Sequence, residues 1–67
     1  MPLSIEGLRK GYFYELINHG EKHSFEVIDI INNDCTIKDL LTLEIYPISD
    51  LYAYGKGNDF EINEITI

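Results

Sequence analysis

In CTIKDLLTLEIYPISDLYAYGKG, residues 35–57, apolar side chains recur at every second position until a proline interrupts them and glycines end the run. Successive side chains on a pleated strand point to opposite faces. Cys35 and Ile37 are therefore expected inward, with Thr36 and Lys38 outward. The chain then turns through Leu40, Leu41 and Thr42 and returns with Leu43 and Ile45 inward, Glu44 and Tyr46 outward. Pro47 has no N–H to give to a ladder, so the strand stops there or lies at a sheet edge. Ser49 and Asp50 offer oxygens to cap a short turn over 51–54, of 3-10 type given its length. Gly55 and Gly57 open a loop around Lys56, read as a flexible connector. Together these signals describe the back half of a small bent β-barrel.

Toward the N-terminus, residues 4–11 read as a single turn with Ser4 as cap, because Gly7 and Gly11 leave too short a span for a stable helix. A helix over 4–17 would align Ile5, Leu8, Tyr12 and Leu16. Two interior glycines would cost it about 1 kcal/mol each, whereas Tyr12, Phe13, Tyr14 and Ile17 favour a strand. The first strand is placed at 12–18, followed by a turn over 18–21 in which Gly20 takes positive φ. The second, 24–31, begins with Phe25 and Val27 on one face and then shifts to Ile28 and Ile30. Such a slip of parity means a bulge or a sharp bend near Ile28 and Asp29. Asn32, Asn33 and Asp34 supply the next turn, and 60–64 the last strand, with 65–67 either extending it or fraying. The expected core is Leu8, Leu16, Phe25, Val27, Ile37, Leu43, Ile45, Leu51, Phe60 and Ile62.

A chain of 67 residues makes one domain, here 1–67, and such a domain buries only about 60% of the surface its unfolded chain exposes. An apolar share of 45% is still ample for an ordered core. The lone Cys35 allows no internal disulfide, and no signal peptide or 18-residue apolar run is visible. A cytoplasmic location is the expectation. Twelve acids against Arg9, Lys10, Lys22, Lys38 and Lys56 give a net charge of −7. Scattered cations in a negative field make a poor phosphate footprint, so nucleic acid and anionic membrane are disfavoured partners.

Five short strands with a one-turn helix before the fifth resemble the SH3-like barrel over nearly the whole chain. Leu8, Gly11 and Tyr14, then Lys38, Asp39 and Leu40, then Thr42, Glu44 and Tyr46, then Ser49, Asp50, Leu51 and 54–57 resemble a set of small uncharacterised bacterial single-domain proteins. The resemblance implies an all-β, five-stranded antiparallel barrel with a short 3-10 turn before the last strand. Barrels of this class serve peptide binding, methylated-residue reading, nucleic-acid binding and scaffolding, so it implies no single activity. The absence of tryptophan departs from the proline-rich-peptide binders of that class.

Tyr12, Tyr14, Tyr46, Tyr52 and Tyr54 are the candidate ligand-binding residues: if they converge, with Glu15, Glu44 and Asp50 around them, they form an aromatic surface for a cationic or peptide ligand. The competing reading buries the rings at the barrel ends with wet hydroxyls. His19 and His23 read as turn residues, since no further ligand completes a metal set. Cys35 reads as a small core hydrophobe beside anionic Asp34 and Asp29 rather than a nucleophile. The loop YGKGNDF lacks phosphate-loop spacing, and so short a chain leaves little interior for a reaction pocket around Asp29, Asp34, Asp39 or Asp50. No enzyme activity, cofactor or metal is expected. The sequence points to a small interaction module for a protein or peptide, as a monomer or weak homodimer, with an SH3- or Sm-like nucleic-acid barrel and edge-strand self-association as alternatives.

Overall fold

The computed structural model describes residues 5–32 and 34–66, so the expectations resting on Ser4, Asn33 and Ile67 lie outside it. Five strands, β1 (Phe13–Asn18), β2 (Glu21–Ile31), β3 (Asp34–Asp39), β4 (Ile45–Pro47) and β5 (Glu61–Ile65), form one antiparallel sheet in the order β4-β3-β2-β1-β5. Its helical pieces are the 3-10 turns Ile5–Gly7 and Ile48–Tyr52. The fold class read from the residues therefore holds: all-β, with a 3-10 turn before the last strand.

β2 is the strand that bends the sheet. Its first half pairs with β1, Phe13 opposite Glu26 through Asn18 opposite Glu21, and its second half pairs with β3. The β3 pairing passes from Val27 opposite Ile37 to Asp29 opposite Thr36, leaving Ile28 as the extra residue of a bulge. That is where the parity of the sequence slips. A flat sheet would make a thin layer, but the molecule measures 27 × 27 × 25 Å, so the sheet curls around its contents. Those contents are Leu8, Tyr14, Leu16, Phe25, Val27, Cys35, Ile37, Ile48 and Ile62, with Ile5, Tyr46, Leu51 and Phe60 packed against them. Truncating a fully buried member such as Leu16 to alanine would cost roughly 2–5 kcal/mol, which is comparable to the whole stability of so small a domain.

Three expectations are corrected. Leu43 and Ile45 are exposed rather than core, and Tyr46 faces inward. Residues directly opposite on neighbouring strands share a face, and the register sets Tyr46 against buried Ile37 and Ile45 against outward Lys38. The turn explains the inversion: the Leu43 N–H donates to the Asp39 carbonyl at 2.8 Å, and Leu43 takes φ 64°, which rotates the returning strand. Ile48 takes the core place assigned to Ile45. Finally, the second 3-10 turn begins at Ile48, earlier than expected, with extended Pro47 before it and no side-chain cap. Ser49 Oγ donates to Asp34 instead, at 3.3 Å.

Candidate interaction surface

The surface is built from the β1–β2 turn and the loop joining the second 3-10 turn to β5. His19 and Gly20 both have positive φ, 51° and 76°, the geometry of a two-residue hairpin turn whose twist matches its strands. Asn18, at the end of β1, has the inward parity of Tyr14 and Leu16 and is buried. A buried amide must be satisfied. Its Nδ2 donates to the carbonyls of Leu51 (3.3 Å) and Gly55 (3.1 Å), and its Oδ1 accepts from the Gly57 N–H at 2.7 Å.

Asp59 completes the clamp from the other side. Its carboxylate accepts the N–H groups of His19 (2.8 Å) and Gly20 (2.7 Å), and these bonds, that from Gly20 foremost, hold its carboxyl below the usual range. The loop is accordingly pinned along its length rather than being the flexible connector expected. Both glycines are required by it. Gly55 has φ 101°, and a Cβ on Gly57 would lie 2.9 Å from His19 Nδ1 and 3.0 Å from Asp59 Oδ1.

Between turn and loop lies an open cleft of about 250 Å³, lined by Asn18, His19, Glu21, His23, Asp50, Leu51, Tyr54 and Gly55. Its chemistry is mixed: two exposed carboxylates, two imidazoles, a leucine wall and a tyrosine. The His19 ring bonds the Gly55 carbonyl at 3.0 Å. His23 is a strand residue of β2, opposite Leu16, rather than the turn residue expected. No group of three or more His, Cys, Asp or Glu suited to a metal ion occurs among the described residues.

The five tyrosines do not gather on one surface. Tyr14 is only 1% exposed, lies against Phe25, and accepts the Arg9 N–H on its hydroxyl at 3.0 Å, so it is a core residue and not a ligand contact. Tyr46 packs on the core and donates to Asp39 at 2.8 Å. Tyr52 stacks on Phe60 with ring centres 6.0 Å apart, and Lys56 Nζ lies over both rings at 5.4 and 5.0 Å. Tyr12 lines a separate open depression with Gly11, Phe13 and Glu64. Tyr54 alone enters the acidic cleft, and it is 99% exposed.

Cys35 is a buried free thiol whose pKa is raised, by burial first and by the Asp34 charge second, as a core hydrophobe requires. What sequence reasoning missed is the part that Asn18, Asp39 and Asp59 play in holding turns. For Asn18 a signal existed: a polar residue at an inward position of a strand must have found partners. Comparison with protein-family models, with curated proteins and with solved structures finds no match to this chain.

Proposed function

We propose that this domain is a non-catalytic interaction module of the SH3-like class, and that it binds a protein or peptide segment by receiving a cationic side chain in the cleft beside Tyr54. The observation that carries this reading is the Tyr54 ring, which is 99% exposed and so of no use to folding, yet projects from a loop held by Asn18 and Asp59. The loop backbone that carries the ring is already held, so binding has only the side chain itself left to order. Glu21 and Asp50 supply negative charge next to it, and Leu51 an apolar wall for a side-chain stem. The net charge of −7 favours approach of a basic segment. A cleft of about 250 Å³ accommodates one side chain rather than a larger substrate.

The alternatives have less support. Of the five cations that a phosphate backbone would draw on, Lys22 lies 3.8 Å from Glu15 and Lys56 sits over its two rings. Both sheet edges are guarded against pairing: β4 is three residues long and ends in proline, and β5 carries Glu61 and Glu64. No helix among the described residues is long and apolar enough to cross a membrane.

The test is a titration with a lysine-containing peptide and its norleucine counterpart, followed through the backbone amide resonances of His23 and Gly55. Shifts confined to the lysine peptide and lost in Tyr54→Ser are expected. An equal response to both peptides, or none to either, would defeat the reading.

A further inference from the structure

The cleft holds two histidines at positions where folding alone asks for other residues. His19 takes φ 51° in the β1–β2 turn, where asparagine or glycine rests most easily. His23 has the inward parity of Phe25 in β2 and stands opposite buried Leu16, a place for a hydrophobe. Both rings line the same cleft as Glu21 and Asp50. Imidazole is the side chain whose ordinary titration crosses the neutral range, and once charged it has the sign of a lysine or arginine.

The geometry lets the cleft change its charge while keeping its shape. The His19 ring meets the Gly55 carbonyl through Nε2, and a carbonyl only accepts, so that nitrogen carries a proton before and after the ring is charged. The second proton goes to Nδ1. The place a Cβ on Gly57 would take lies 2.9 Å from Nδ1 and 3.0 Å from Asp59 Oδ1, so a carboxylate stands near that nitrogen. His23 is faced from β3 by Asp39, whose carboxylate feels its charge and is otherwise committed to Leu41, Thr42 and Tyr46. Both aspartates are held low and stay ionised while an imidazole titrates. Glu21 from the turn, Asp50 from the second 3-10 turn and Tyr54 from the following loop complete the titratable groups around the rings. Lys22 points to the other face of β2, beside Glu15. With neutral rings an entering ammonium meets Glu21 and Asp50 unopposed; with charged rings those two carboxylates are matched one for one. We propose that the imidazole pair makes this a proton-gated site, which takes up a cationic side chain while His19 and His23 are neutral and releases it when they are charged, an inference that rests on the reading of the cleft given above.

The experiment titrates the lysine peptide and its norleucine counterpart into the full chain at low salt, at about pH 8 and about pH 5.5, a window that spans imidazole titration and leaves carboxylates ionised. Wild type is compared with His23→Gln and with the double variant His19→Gln, His23→Gln. Affinity for the lysine peptide should be about tenfold lower at the acid end, a change cut to about threefold in the single variant and abolished in the double one. The ratio between the two pH values is the readout, so a weaker basal affinity in either variant does not disturb it. By reciprocity, the ring-proton signals of His19 and His23 should register charging at lower pH with the peptide bound than without it. Hydrogen-exchange protection of the His19 and Gly20 amides should persist at the lower pH, which separates a change of charge from a loss of the turn. Failure of the lysine peptide to bind at the higher pH defeats the reading of the cleft and this inference with it. Binding there that holds undiminished at the lower pH, a pH response kept by the double variant, or turn protection lost along with the peptide overturns the inference alone.

Discussion

The β1–β2 and β3–β4 turns are each held by a carboxylate that accepts two successive backbone N–H groups, His19 and Gly20 onto Asp59 in one, Leu41 and Thr42 onto Asp39 in the other. Asp39 belongs to the turn it shapes and needs only its neighbours and the Tyr46 hydroxyl. Asp59 comes from forty residues further along the chain than His19 and acts together with Asn18. The local clamp fixes one hairpin. The remote clamp fixes a hairpin, a loop and the cleft between them, so damage to it reaches the candidate site while damage to the other stays in its own turn.

The largest break in this contrast is Asn18→Ala, which removes the partner of the Leu51 carbonyl and of the Gly57 N–H, leaves the Gly55 carbonyl only the His19 ring, and should lower stability by about 2–3 kcal/mol. Urea unfolding measures it, and a loss below about 0.5 kcal/mol would show that the loop is not held this way. Gly57→Ala follows, at roughly 1–3 kcal/mol, because the added methyl must displace His19 or Asp59. Its amide spectrum should change at the β1–β2 turn and stay constant at Leu41 and Thr42. Asp39→Asn should cost about 1–2 kcal/mol, confined to the β3–β4 turn, with peptide binding in the cleft unchanged. Loss of that binding would erase the distinction between the clamps.

Acid sharpens the comparison. The carboxyl of Asp59 is held low by the Gly20 and His19 N–H groups, and that of Asp39 is held low by hydrogen bonds from Thr42, Tyr46 and Leu41 that outweigh the opposing effect of burial. A folded value below the unfolded value means each contributes stability fully present above about 3.9 and lost as pH falls through the folded value. Carboxyl NMR titration should find both below about 3.9, with hydrogen-exchange protection of His19 and Gly20 failing as Asp59 protonates. Values at or above the ordinary carboxylate range would contradict the geometry. The smallest expected effect on stability is that of Tyr54→Ser, within about 0.5 kcal/mol, since the ring touches little but water.

The five strands along the chain, the irregularity in β2 and the short turn before β5 were legible in the residues because each has a local cause: alternation, a slip of parity at Ile28, a proline at 47. The face of β4 was not, because it depends on the positive φ of Leu43, a conformation its side chain opposes and only the surrounding hydrogen bonds impose. The candidate site was half legible. Tyrosine count and acidity suggested a cationic partner, but whether five rings converge depends on strand register, which buried Tyr14, and on the course of the loop after the second 3-10 turn, which left Tyr54 in water. The clamp of Asn18 and Asp59 joins residues whose spacing in sequence carries no periodic signal.

The position of β1 between β2 and β5 has a consequence for the route of folding. β1 meets β2 across a two-residue turn, whereas its other edge must wait for a strand brought back from the far side of β2, β3 and β4. Until that happens Leu16 and Asn18 lack Ile62 and the Gly57 N–H. The remote pairing carries the larger loop-closure cost, so closure of the sheet onto β5 comes late.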